Sequence, residues 1–217
     1  MKRPILGETM TAALKIYGIA RSRAFKTIWC AEELGVAYEQ VQIGFNDGTN
    51  KTNDFLAINP NGRVPAIVDN GFPLFESMAI NLYLAKKYGE GGMYPVSAQN
   101  EALTWQWTFW SANELERLMG EWGYNTIVLP ENERDPKKAA DALAALQQPL
   151  SVLDAHLGKQ AWMIPVDRFT IADLNIASTM LRAHQHMDLA ARPNVKRWLA
   201  ACFARPAAMK ATKRREA

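Results

Sequence analysis

Cysteine is scarce in this chain. There are two in 217 residues, Cys30 and Cys202, far apart and forming no Cys-x-x-Cys pair. That usage excludes a disulfide framework and is expected of two reduced, buried thiols in a cytoplasmic protein. Long apolar runs are lacking as well. No window approaches the roughly 18–20 apolar residues of a membrane span, so no membrane partner is expected. The opening MKRPILGETMTAALKIYG has two basic residues but only a broken apolar stretch. It does not read as a secretory signal; residues 1–10 are expected to be a short extension, with Met10 as an alternative start. Histidine is limited to three, and His184 and His186 stand two apart, so on a helix they share no face and no metal is expected. Internal repeats and low-complexity segments are missing too.

Charge of one sign is lacking in the body. The net charge is +3, but residues 205–217 carry +4 and residues 1–9 carry +1, which leaves the body at −2. A nucleic-acid partner calls for a basic body, so none is expected. The basic end is expected to be solvated and frayed.

What the chain has in plenty is tryptophan, seven in all, with Trp105, Trp107, Trp110 and Trp122 in one segment. It also has clear periodicity. Residues 14–18 alternate and end in glycine, as a short strand does. Residues 22–34 place Phe25, Ile28 and Trp29 on one helical face before Gly35. A second strand is expected over 38–43, which makes a right-handed parallel βαβ unit. A short helical turn follows near 55–58. Then VPAIV and FPLF flank Asp-Asn-Gly, a strong hairpin signal. Ser77 is expected to cap a helix with Ile80, Tyr83, Leu84 and Tyr88 on its core face. Residues 88–99 are rich in glycine and polar residues, as an interdomain linker is. Helical patterns fill the rest. Leu115, Leu118, Met119 and Trp122 form one stripe. Asp135-Pro136 opens a long helix containing Pro149, with Ala139, Leu143, Leu146, Leu150, Leu153 and Leu157 as its ladder. Thr170 to Asp173 resembles a capping box, and Pro193 and Pro206 open the last two helices.

Three blocks carry a family resemblance: YGIARSRAFKTIWCAEELGVAYE (17–39), NPNGRVPAIVDNGFPLFESMAINLYLAKKYG (59–89) and DRFTIADLNIA (167–177). Through them the chain resembles the cytosolic glutathione transferases over nearly its whole length. The resemblance implies an α/β, thioredoxin-like N-terminal domain (βαβαββα) at 11–88, a linker at 89–98, an all-helical C-terminal domain at 99–217, and a homodimer. It also implies a cis bond before Pro65, with the Val64 backbone pairing glutathione as an added strand. Ser77, at a helix start, then receives the γ-glutamyl carboxylate, and Glu76 faces the ammonium. Arg63, Arg21 and Arg23 are further candidates around the peptide. Ile164-Pro165-Val166 departs from the family's glycine-bearing turn before Asp167, which bears on subclass rather than on this site.

The chemistry of such a site is to lower a thiol pKa. Thiols ionise near pH 8.5, so majority thiolate at pH 7 requires a shift worth about 2–3 kcal/mol. One hydrogen bond to charged sulfur supplies about 1.5–3 kcal/mol and a helix N-terminus about 0.3–1 kcal/mol. One hydroxyl at the start of the first helix is enough. Ser22 is the first candidate and Tyr17 the second. Counting back from Gly35 puts the serine of the serine-type classes on Arg21, one residue before Ser22, and the tyrosine of the tyrosine-type classes on Tyr17. The charge of Arg21 or Arg23 is a third route. Trp107, Trp110 and Asn113 are candidates for the second-substrate pocket. The expected activity is conjugation of glutathione, as co-substrate, to a small hydrophobic electrophile. A glutathione-dependent disulfide reductase of the same fold and a non-catalytic binding module are the alternatives.

Overall fold

Leu14 and Ile16 turn one face of β1 (Leu14–Tyr17) into the core, and Lys15 and Tyr17 turn the other way. The computed structural model describes residues 13–216, so the expected extension over 1–10 lies outside the described residues. α1 (Ala24–Leu34) carries the chain from β1 to β2 (Tyr38–Val41), which runs parallel to β1 with Leu14 opposite Tyr38. α2 (Asn53–Ile58) leads to the hairpin of β3 (Ala66–Asp69) and β4 (Phe72–Phe75). The sheet order is β2-β1-β3-β4, with β3 antiparallel to both its neighbours. The hairpin turn has Asn70 at φ 50° and Gly71 at φ 83°, left-handed positions that Asn and Gly adopt most cheaply. The Val64–Pro65 bond is cis.

α1 and α3 (Ser77–Gly89) cover one face of the sheet, where Phe25, Ile28, Trp29, Ile67, Ile80 and Leu84 are buried. Tyr83 packs half-buried against that core as expected, whereas Tyr88 is exposed, and both donate their hydroxyls to the buried Asp69, at 3.0 and 2.9 Å, together with the Lys87 ammonium at 2.7 Å. α3 is thereby tied to the hairpin tip.

The rest is helical: α4 (Ala98–Trp110), α5 (Glu116–Gly123), α6 (Pro136–Leu157), α7 (Ile171–Thr179), α8 (Leu181–His186), α9 (Pro193–Phe203) and α10 (Pro206–Glu216). π-helical turns at Ser111–Leu115 and Tyr124–Val128 flank α5. The signals read for the starts of α6 and α7 hold. Asp135 accepts the Lys137 and Lys138 N–H groups at 3.0 and 3.1 Å, and Thr170 and Asp173 form a full capping box. Of the α6 ladder, Leu143 is exposed and the others are buried. This is a thioredoxin-like βαβαββα part followed by an all-helical part.

The basic end is not frayed. α10 packs against α1, whose Glu32 and Glu33 face it. Arg205 forks onto Glu33 with two bonds of 2.7 Å, and Lys210 and Arg214 pair with Glu32. A run of cations that looked solvated docks because adjacent carboxylates on α1 await it.

Candidate active site

The site starts at Gly18, the residue after β1. Its φ is 138°, and an added Cβ would lie 2.7 Å from Ala24 Cβ and 3.1 Å from Val64 Cβ. Only glycine lets the loop 19–23 and the Val64 segment close on each other there. Ser22 sits in that loop at the mouth of α1. Its hydroxyl donates to Ile19 O at 2.7 Å and accepts the Ala24 N–H at 3.1 Å. Ser22 also lines the first of the two cavities described below. Tyr17 points elsewhere. Its ring packs 6.1 Å from that of Phe55, in the small cluster with Val64 and Ala66, and it lines neither cavity described below.

Two adjoining cavities share Arg23, Arg63, Val64 and Glu116. The first, about 460 Å³, is lined by Ser22 and Arg21 on one side and by Met119, Tyr124 and Arg182 on the helical side. The second, about 350 Å³, is lined by Pro65, Glu76 and Ser77, with Thr108 and Phe109 of α4 across from them. Among the described residues, the Val64 N–H and C=O make no backbone–backbone hydrogen bond. Two backbone groups just before β3 are therefore left without backbone partners in the lining that both cavities share.

Ser77 is not a cap. α3 begins with it, and Glu76 holds the capping position with φ 73° and ψ 109°, without a side-chain capping bond. Glu76 is a non-glycine residue in left-handed backbone, and such a conformation persists only where its surroundings impose it. It swings the Glu76 side chain into the second cavity and leaves the first N–H groups of α3 without side-chain caps. Ser77 is buried, and among the described residues its hydroxyl has no hydrogen-bond partner. Acceptor-hungry N–H groups, a free hydroxyl and a carboxylate within two residues suit a zwitterionic amino-acid end.

Below Ser22, the buried Lys26 donates to Glu116 Oε1 at 3.0 Å and to Thr179 Oγ1 at 2.9 Å, and Arg23 Nε lies 3.1 Å from the same carboxylate oxygen. Burial pushes the Glu116 carboxyl up, and the charges of Lys26 and Arg23 more than offset it, so it stays below the usual carboxylate range. Cys30 lies one turn further along α1, fully buried, its thiol donating to Asn81 O at 3.7 Å. Burial pushes that thiol up, and Cys202 likewise, so neither is a nucleophile.

Trp107, Trp110 and Asn113 do not reach the cavities. Trp107 is buried with its ring 4.3 Å from that of His156 and 5.1 Å from that of Trp110, while Asn113 is exposed. The helical wall is built instead by Met119 and Gly120 of α5, Tyr124 of the π-helical turn, and Arg182 and Arg215. Sequence reading missed Lys26, Glu116, Arg182 and Arg215. Lys26 sat within an otherwise apolar helical face, which was a signal. The other three become neighbours only through tertiary packing. Among the described residues, no three His, Cys, Asp or Glu side chains gather as a metal site.

The family model described as "Glutathione S-transferase, N-terminal domain" matches residues 12–86, and "Glutathione S-transferase, C-terminal domain" matches residues 115–206. This chain belongs to the glutathione S-transferase family. It is 35% identical over 211 residues to glutathione S-transferase 3 of Zea mays, covering 92% of this chain and 93% of that protein. It is 34% identical over 194 residues to GstB of Escherichia coli K12, covering 85% and 90%. Among solved structures, the theta class glutathione S-transferase of Xanthomonas axonopodis pv. citri, with glutathione bound, superposes with a TM-score of 0.85 at 32% identity, covering 93% of this chain and 97% of that one. By family the chain is a transferase enzyme, and glutathione is the co-substrate its fold relatives hold. Elongation factor 1-gamma 2 of Oryza sativa is similar as well, 32% identical over 157 residues that cover 72% of this chain but 37% of that protein.

Proposed function

We propose that this transferase conjugates the glutathione thiolate to a small electrophile with a hydrophobic body. The carrying observation is that Ser22, Val64 and the Glu76-Ser77 pair come from three separate stretches and line two adjoining cavities that share Val64. In this reading the γ-glutamyl end enters the second cavity. Its carboxylate meets the start of α3 and Ser77, and its ammonium meets Glu76. The peptide's backbone pairs with Val64, and its sulfur arrives beside Ser22. The thiol proton leaves to solvent, and the Ser22 hydroxyl donates to the thiolate left behind. A sulfur electron pair forms the bond to the electrophilic carbon, and the leaving group departs with its own pair. The first cavity, with Phe25, Met119 and Tyr124 on its walls, receives the electrophile.

The same reading places the protein in the cytoplasm as a homodimer, with 89–98 linking the glutathione-binding unit to the helical unit. The likeness to an elongation factor keeps a second reading in view, a binding module without turnover. Steady-state conjugation of glutathione to a panel of halonitroarenes separates the two. Turnover that saturates in glutathione supports conjugation. Tight glutathione binding with no turnover on any of them supports the module.

A further inference from the structure

The far wall of the first cavity carries positive charge that thiol activation does not use. Arg182 of α8 and Arg215 of α10 line it, and Arg21 joins them from the loop beside Ser22. Glu116 is the carboxylate in that lining, and Lys26 and Arg23 already occupy it. Among the described residues, none of the three arginines is ion-paired. Arg215 is held in place by its Nη1, which donates to Ala20 O at 3.1 Å and Ser22 O at 3.4 Å. Its guanidinium lies 5.9 Å from the centre of the Phe25 ring, and that of Arg182 lies 5.7 Å from the Tyr124 ring. The backbone makes room for this arrangement. A Cβ at Gly123 would sit 2.7 Å from Arg182 Cδ, so the arginine stem runs over a bare glycine. At Gly120 an added Cβ would meet nothing within 4 Å, which leaves the cavity floor open.

We propose that the electrophile of this enzyme bears an anionic group, a carboxylate, sulfonate or phosphate on an apolar or aromatic body, held by Arg182 and Arg215 with Arg21 while glutathione sulfur attacks from the Ser22 end. This rests on the conjugation reading above. The glutathione carboxylates do not account for the cluster. One is assigned to Ser77 in the other cavity, and Lys51 and Arg63, which line the first cavity with Val64 and among the described residues have no ion-pair partner, can take the second. The cluster is unfavourable by itself: burial, and then the charges of Arg182 and Arg21, lowers the pKa of Arg215, and burial lowers that of Arg182. Guanidinium stays charged at neutral pH all the same, so a bound anion relieves both the repulsion and the desolvation. Flat rings beside the cations suit an aryl body ending in an anion.

The test compares para-chloro-meta-nitrobenzoate with its neutral isostere para-chloro-meta-nitrobenzamide, each with glutathione and corrected for the uncatalysed rate. In both, sulfur bonds to the ring carbon and chloride leaves. The wild type is expected to favour the benzoate by about tenfold or more in kcat/KM. Arg182→Gln and Arg215→Gln are each expected to bring that ratio towards one. Arg182→Lys keeps part of it, and Lys213→Gln, on the same helix as Arg215 but lining neither cavity, leaves it unchanged. A wild-type ratio at or below one, or a ratio that survives Arg182→Gln in folded protein, overturns the proposal. Should neither compound turn over, binding of unreactive para-nitrobenzoate and para-nitrobenzamide to protein loaded with S-methylglutathione decides. A carboxylate preference that Arg182→Gln removes upholds the anion site and overturns only conjugation; no preference overturns the anion site.

Discussion

Lys26 Nζ lies 3.0 Å from Glu116 Oε1, and this buried contact joins α1, which carries the thiol site, to α5, which floors the electrophile cavity. Removing one partner leaves the other charged and buried, which costs about 3–5 kcal/mol. Glu116→Gln is expected to fall in that range by denaturant unfolding. Because the folded carboxyl titrates below its unfolded value, its stabilisation is full above about pH 4.3 and is lost as pH falls through the lower folded pKa. The stability gap between wild type and Glu116→Gln should therefore narrow only below about pH 4. A gap constant down to pH 2, in a range where both proteins still fold, would contradict the pairing.

Ser77→Ala should separate binding from folding. Since Ser77 makes no capping bond, its truncation is expected to change stability by less than about 0.5 kcal/mol. Glutathione binding by calorimetry should weaken by about 1.5–3 kcal/mol, the worth of a charge-assisted bond. Unchanged affinity would remove Ser77 from the site.

Glu76→Gly should split the same two quantities in opposite directions. Glycine occupies φ 73° without penalty, so stability should hold or rise by about 1 kcal/mol. Loss of the carboxylate should weaken glutathione, and more than it weakens a des-amino analogue without the ammonium. Equal loss for both ligands would deny the ammonium contact.

The dimer is a further expectation. Phe72 is 50% exposed on β4, and Trp105 and Phe109, one turn apart on α4, are 44% and 62% exposed, large apolar side chains that a partner chain would cover. Sedimentation at micromolar concentration should give the mass of two chains, and Phe109→Asp should raise the dissociation constant about tenfold or more. A one-chain mass for the wild type would sink the interface.

How far the sequence carried these conclusions depended on the range of the interaction. The hairpin was legible because Asn70-Gly71 between apolar runs specifies a tight turn locally. The helix starts at Asp135 and Thr170 were legible for the same reason. Ser77 was misplaced by one position because Glu76 adopts left-handed backbone, which no propensity predicts. The tryptophans misled because Trp107 packs on His156, 49 residues away in sequence, and Trp110 packs on Trp107, rather than on the cleft. Arg215 was taken for solvent-facing tail. Only the docking of α10 through Glu32 and Glu33 brings it to Ser22.

The most direct test of the account is the pKa of the thiol of bound glutathione, read by thiolate absorbance as a function of pH in wild type, Ser22→Ala and Tyr17→Phe. The Ser22 hydroxyl faces the cavity from the mouth of α1, whereas the Tyr17 ring is packed on Phe55. The account predicts a bound-thiol pKa below 7 in wild type and a rise of about one to two units in Ser22→Ala. Turnover at pH 6.5 should fall about ten- to a hundredfold with it, and Tyr17→Phe should leave the pKa where it was. A rise in Tyr17→Phe with none in Ser22→Ala would contradict the account, and so would a low thiol pKa retained by both variants.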